Sequence, residues 1–205
     1  MSAVLTRAQP EIGRPDVARE RRGAAPVVVG AAAALVAVAF SWVPSVWYDE
    51  AATVVSAGRP WADLGREVSH VDIVHATFYS FMHLWFQLVG YSPFTLRLPS
   101  ALAVGAAAGL VVVLGRLLVD VRVGVLAGAF FALMPRVTWM GSEGRSFALA
   151  TLIAVAATIV FVIAHRRMTS GGRAWPWWIA YVALSVLGGA VFLYLVARCS
   201  CTWCL

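Results

Sequence analysis

The chain alternates between long apolar runs and short polar connections. Five runs have about the length of a bilayer crossing. They cover 24–42, 98–119, 123–139, 147–164 and 177–197. A segment inside a bilayer has no water to satisfy its backbone, so it must form helix. The pattern therefore predicts an all-α, polytopic transmembrane helical bundle.

The longest connection, 45–96, contains shorter elements. Two short amphipathic helices separated by glycine and proline are expected in it, at 49–57 and 61–69. The apolar segment 74–89, roughly 16 residues, would extend only about 24 Å as helix, less than the roughly 30 Å hydrocarbon core. We therefore interpret it as a helix that lies in the outer membrane interface.

Charge supports this topology. The formal net charge is +6, and all the basic residues except the histidines are arginines, which cluster at the ends of apolar runs. If 74–89 lies flat, the basic loops after the second and fourth runs fall on the same side as the N-terminal arginines, as the positive-inside rule requires. The N-terminus is then cytoplasmic, and both 45–96 and the turn 141–145 are extracytoplasmic. The same clustering argues against a nucleic-acid partner.

Composition and termini complete the domain prediction. The chain is 61% hydrophobic with a mean hydropathy of +0.81, which places it in a cell membrane in contact with lipids. Residues 1–23 are expected to be a disordered cytoplasmic tail, 24–197 the membrane module and 198–205 an irregular tail. That tail holds all three cysteines and suggests a truncation or frameshift near Arg198. It can be an unstructured end, which we favour, or a soft-metal or disulfide site.

Two pairs of charged residues carry most of the candidate chemistry. Asp49 and Glu50 directly follow two aromatic residues beyond the first run. A carboxylate there can act as general base for an acceptor hydroxyl, with its neighbour tuning it. A helix N-cap is an equal alternative, because Asp followed by Glu at the start of a helix suits the helix dipole. Glu143 and Arg145 lie in the turn on the same face. Arg145 can clamp a phosphate with Glu143 orienting it, or both can be a solvated pair.

Two further candidates are weaker. The order His70, Asp72, His75 can hold a divalent cation, but an ordinary polar loop is the favoured interpretation. Arg97 stands just before the second run. It can bind a lipid phosphate, pair with an acidic partner in the outer loop, or extend to the interface as a snorkelling arginine.

The ordered set of motifs resembles a family. The set is Trp47-Tyr48-Asp49-Glu50-Ala51 after a first span, the His75 to Trp85 segment, the 94–100 run, and Pro135 followed by Glu143-Gly-Arg145-Ser-Phe. It is similar to membrane glycosyltransferases of the GT-C fold, in the protein mannosyltransferase and aminoarabinose transferase superfamily, especially mannosyltransferase-like proteins of actinobacteria. The resemblance covers about 28–152 and only the front part of such an enzyme.

The resemblance implies transfer of a sugar, with mannose expected, from a polyprenyl-phosphate donor to a glycan, lipid or protein acceptor outside the cytoplasm. Asp49 matches the family's base or acceptor-orienting aspartate, and Glu50 its acidic partner. Arg145 falls where a donor-phosphate contact is expected. His75 falls at a His-Pro-Pro-like position without the prolines. Because family members differ in metal dependence, a divalent cation near Asp49 stays open.

Two other functions compete with this one. A non-catalytic membrane protein that binds a lipid-linked sugar, or assembles with a partner, would share the same features. A small transporter is the third possibility, and it is weaker because no run carries a charge near its middle.

The topology makes a prediction for labelling. In a chain whose three natural cysteines are replaced, a membrane-impermeant thiol reagent should label Ser142→Cys from outside and should leave Val121→Cys unlabelled. Reaction at residue 121 but not at residue 142 would reject the five-span topology and the convergence of the two polar elements.

Overall fold

The computed structural model describes residues 17–39, 41, 43–70 and 75–192, and the side chains of 17–22 and 68–70 fall outside that description. The predicted cysteine tail 198–205 and Asp72 also lie outside the described residues. All regular structure in the described ranges is helical, so the all-α prediction is confirmed. In chain order the helices are α1 Val17–Val38, α2 Tyr48–Ala57, α3 Trp61–His70, α4 Ala76–Val89, α5 Pro93–Leu118, α6 Val121–Leu133, α7 Pro135–Gly141, α8 Phe147–Thr169 and α9 Trp175–Val191.

Two to three helices in the described part are long and apolar enough to cross a membrane. They are α5, α8 and, if a bent pair forms one span, α6 with α7. The apolar part of α1, Gly23–Val38, and helix α9 are shorter. Each of the five predicted runs thus contains a helix, but length and composition identify only two or three of them as crossings.

The bend between α6 and α7 has a local cause. The two helices meet at 67° around Pro135, which has no N–H to continue the helical ladder. A proline inside the predicted run 123–139 is the sequence signal for this break. The bend directs α7 across the bundle and brings Gly141 against α1 and α5.

Helix α5 begins earlier than expected. The second run was predicted to start at Leu98, but α5 starts at Pro93 because Ser92 and Thr95 form a reciprocal capping box and Pro93 suits the first helical position. Arg97 therefore lies inside the helix instead of preceding it. Helix α1 likewise begins at Val17, inside the stretch predicted to be a tail.

Close packing of α1 on α5 forms the centre of the bundle. The two helices run antiparallel, since Pro26 faces Gly109 while Gly30 faces Gly105. A Cβ on Gly105 would lie 2.7 Å from the Cβ of Ala34 and 2.7 Å from the carbonyl oxygen of Gly30. Only glycine permits this approach, and Gly105 and Gly109 have the four-residue spacing typical of closely packed membrane helices.

The two ends of the bundle differ in chemistry. One end, called here the polar end, is formed by the start of α5, the end of α7 and the start of α8. The opposite end carries the arginines at the end of α5, the start of α6, the end of α8 and the loop before α9: Arg116, Arg122, Arg166, Arg167 and Arg173.

Helix α4 lies across the polar end. Trp85 in its second half donates a 2.8 Å hydrogen bond to the carbonyl of Thr95 at the start of α5, and His75 just before α4 lies 3.5 Å from Arg145. Both contacts are with the same end of the bundle. A small core of α2, α3 and α4 residues packs there on Leu96.

Two glycine substitutions test the α1–α5 contact. Gly105→Ala should destabilise the protein by about 1–3 kcal/mol, because the new methyl group forces two backbones apart. Gly65→Ala in α3, where a Cβ would meet nothing within 4 Å, should instead stabilise by roughly 0.5–1 kcal/mol. Unfolding in detergent, followed by circular dichroism, measures both. Equal effects of the two substitutions would contradict the packing argument.

Candidate functional site

A buried ion pair organises the polar end. Glu50 in the first turn of α2 is 1% exposed, and Arg97 in α5 is 2% exposed. The guanidinium binds the carboxylate in a bidentate manner, with Nε donating to Oε1 at 2.8 Å and Nη2 donating to Oε2 at 2.5 Å. A buried pair of charges is stable only if its remaining polar atoms are also satisfied.

Arg97 meets that condition because each of its N–H donors has an acceptor. Beyond its two bonds to Glu50, it donates from Nη1 to the carbonyls of Ser41 and Pro44, and from Nη2 to the carbonyl of Ser45 at 3.3 Å. A guanidinium has five N–H groups, and these five bonds use all of them. Arg97 therefore has no donor left for a phosphate. Of the alternatives open from the sequence, the structure favours the acidic partner, and it corrects the assignment of Arg97 to the donor phosphate.

Glu50 also fastens the turn before α8. The backbone N–H of Gly144 donates to Oε1 of Glu50 at 2.8 Å. A Cβ on Gly144 would lie 2.5 Å from the side chain of Leu96, so only glycine allows the turn to pack this closely against α5. The carboxylate is thus occupied by Arg97 and Gly144, and Glu50 is a positioning residue in this geometry.

Asp49 and Arg145 meet beside this pair, so the two polar elements predicted to converge do so. Nη1 of Arg145 donates to the backbone carbonyl of Asp49 at 3.2 Å, and Nη2 lies 3.5 Å from Nε2 of His75. The Nε of Arg145 is buried and has no hydrogen-bond partner in the described part of the chain. In contrast to Arg97, Arg145 has donors available for an anion. Asp49 itself is half-buried in the first turn of α2, whose N-cap is Trp47, so it is not the cap.

Glu143 is the third carboxyl group of the site. It is 5% exposed, and among the described residues its Oε1 has no hydrogen-bond partner. Burial raises the pKa of Glu143 above its ordinary value, and the nearby negative charge of Glu50 raises it further, although Arg136 and Arg145 oppose the shift. Glu143 is therefore buried, and is not a member of a solvated charge pair.

The candidate cation ligands are only partly described. His75 lies at the site beside Arg145 and stacks on Tyr79 with ring centroids 5.8 Å apart. Asp72 and the side chain of His70 lie outside the described residues. Within the residues that are described, no group of three or more His, Cys, Asp or Glu side chains is arranged to hold a metal ion.

An apolar cavity of about 530 Å³ lies next to the polar cluster. Its walls come from α5, α7, α8 and the end of α9, and Thr151 and Thr158 are the polar exceptions along α8. Arg136 and Phe147 line it as well, and they connect it to the site. Arg136 interacts electrostatically with Glu143, and Phe147 is two residues beyond Arg145. The positively charged Arg136 therefore lies between the apolar cavity and the buried carboxyl group of Glu143.

Comparison with known proteins adds no family assignment, because no protein-family model, curated protein or solved structure matches the chain.

Some groups of the site have no signal in the sequence. Four of them are backbone groups: the carbonyls of Ser41, Pro44 and Ser45 and the N–H of Gly144. The identity of a residue does not indicate that its backbone will bind a buried charge. Arg136 did carry a signal, as an arginine close to the predicted anion-binding turn.

The ion pair makes a prediction about stability. Glu50→Gln should destabilise the protein by about 3–5 kcal/mol, because it leaves the buried Arg97 charge without its partner. Asp63→Asn removes the carboxylate of the exposed Arg66–Asp63 pair and should cost less than about 1 kcal/mol. Denaturant unfolding in detergent micelles measures the free energy of unfolding of both variants. A decrease below about 1 kcal/mol for Glu50→Gln would contradict the central role of the ion pair.

Proposed function

We propose that this chain carries the site of a membrane-embedded glycosyltransferase of the GT-C type. It transfers a sugar, with mannose expected, from a polyprenyl-phosphate donor to an acceptor hydroxyl on the extracytoplasmic face. The family resemblance motivates the chemistry. The observation that carries the proposal is Arg145, a half-buried arginine whose buried Nε has no partner among the described residues. It donates to the carbonyl of Asp49 and stands two residues before Phe147, which lines the apolar cavity.

Arg145 supplies the phosphate contact. An arginine that keeps unpaired N–H groups in a partly buried site binds a phosphate oxygen through charge-assisted hydrogen bonds, which are stronger than neutral ones. The desolvated surroundings strengthen the attraction, because little water screens it. Arg136, at the wall of the cavity, adds a second positive charge near the same place.

The cavity suits the hydrocarbon part of the donor. Its lining is mainly alanine, valine, leucine, methionine and phenylalanine, and it follows α8 from Phe147 to Thr158. Eleven residues of helix rise about 16 Å. A polyprenyl chain in this cavity would therefore extend far into the membrane, while the phosphate head group of the donor stays near Arg145. A lipid-linked phosphate has this combination of a long apolar tail and a charged head.

Asp49 would act on the acceptor. Its carboxylate takes the proton of the acceptor hydroxyl as that oxygen forms a bond to the anomeric carbon of the sugar. The bond from this carbon to the phosphate oxygen breaks, and its electron pair leaves with the lipid phosphate, whose charge Arg145 offsets. A single displacement of this kind inverts the anomeric configuration, as the family resemblance implies.

A membrane transfer assay tests these roles. With mannosyl polyprenyl phosphate as the labelled donor and the acceptors of the membrane itself, Asp49→Asn should lower turnover by at least about 100-fold, because the base is lost. Its donor affinity should stay near that of the wild type. Arg145→Gln should weaken donor binding by roughly 10- to 100-fold, the value of lost charge-assisted hydrogen bonds.

Exposed residues provide the controls. Asp63→Asn and Arg66→Gln change charges on α3, away from the site, and should leave both turnover and binding unchanged. Turnover of Asp49→Asn within a few-fold of the wild type would reject the role of Asp49. Donor binding by the wild type without any turnover would favour the alternative function, a non-catalytic protein that holds a lipid-linked sugar.

A further inference from the structure

Glu143 differs from Glu50, the other acidic residue that is buried in the described part of the chain. Glu50, seated nearby, receives three hydrogen bonds, from two nitrogens of Arg97 and from the N–H of Gly144. Glu143 is almost as deeply buried, yet its Oε1 receives none from the described residues. Burial of a charged carboxylate without hydrogen bonds is far more costly than burial of the neutral acid.

The charges around Glu143 come from four elements. Asp49 and Glu50 of α2 are negative, whereas Arg136 of α7, Arg145 of its own turn and Arg97 of α5 are positive. Arg97 is already neutralised by Glu50, and Arg145 donates to the carbonyl of Asp49. The positive charges therefore compensate Glu143 only in part, and burial dominates, so its pKa is raised.

We propose that Glu143 holds a proton and donates it in a hydrogen bond to the lipid phosphate bound by Arg145, so that only the neutral acid binds the phosphate well. The proposal rests on the phosphate site of the proposed function but does not require sugar transfer. It replaces the expected role of Glu143 as an orienting anion for Arg145. An ionised Glu143 would repel a phosphate bound at Arg145, with which it interacts electrostatically, whereas a protonated Glu143 adds a hydrogen-bond donor to the same site.

Binding then depends on pH in a defined direction. Affinity for the phosphate is greatest below the pKa of Glu143 in the folded protein, where the acid is already neutral. Above that pKa a proton must be taken up with the ligand, so affinity falls by up to about tenfold for each pH unit. Loss of the carboxyl proton, and not of the fold, causes this fall.

The probe should be a polyprenyl methyl phosphate diester added to the whole chain in nanodiscs. A diester keeps one negative charge throughout, whereas a phosphate monoester itself titrates near pH 6. Binding measured from pH 5 to 9 should weaken as the pH rises for the wild type. Glu143→Gln, which keeps a neutral N–H donor, should bind at all these pH values with little dependence on pH. Glu67→Gln, a matched change on α3, should keep the profile of the wild type.

Infrared spectroscopy gives a second readout that needs no ligand. In the wild type the carbonyl-stretch band of a protonated carboxylic acid should fade over the same pH range as diester binding, and Glu143→Gln should lack this band. Absence of this band from the wild type would overturn the proposal even if the diester binds.

The outcomes separate this proposal from the proposed function. Diester binding by the wild type that does not vary with pH, or a pH dependence that persists in Glu143→Gln, would overturn the role of Glu143 and leave the phosphate site intact. Failure of the wild type to bind the diester at any pH would overturn the phosphate site and this proposal together. Polyprenol without phosphate should bind more weakly than the diester and without a pH dependence.

Discussion

The buried pair of Glu50 and Arg97 is the interaction on which the polar end depends. It connects the loop after α1, the first turn of α2, the start of α5 and the turn before α8 through six hydrogen bonds to two side chains. An ion pair in a site with so little water contributes to stability only when no donor or acceptor is left unmatched. Because these segments are distant in sequence, the pair determines where Asp49 and the turn 142–146 lie.

The charged groups of the polar end are thus of two kinds. Glu50 and Arg97 have filled hydrogen-bonding positions and hold the structure together. Glu143 and Arg145 are neighbours of that pair, yet each retains a buried polar atom without a partner in the described residues. Unsatisfied buried polar groups are costly, and sites that must bind a ligand are where such a cost is commonly retained. This contrast, more than the acidic motif itself, motivates the phosphate contact proposed for Arg145.

Much of the fold follows from local rules. Apolar runs predict the helices of the bundle, Ser92 with Pro93 marks the start of α5, Pro135 marks the break after α6, and glycine spacing marks the contact of α5 with α1. Convergence of Asp49 with Arg145 was also predictable, because the distribution of arginines orders the helix ends. The role of Arg97 was not predictable. Whether it binds a phosphate or an acidic side chain depends on the position of Glu50, which is 47 residues away in the sequence.

The sequence by itself determined the helical class, the approximate helices and the residues with reactive groups, because hydrophobic periodicity and capping act over a few residues. Only the tertiary structure decided which acidic residue is bonded and which is left unpaired. The sequence places Glu50 beside Asp49 and leaves Glu143 in a polar turn. The fold supplies Glu50 with an arginine and a backbone N–H, and it buries Glu143 without such donors. Burial and hydrogen bonding between distant segments set the protonation of a carboxyl group, and residue identity cannot specify either.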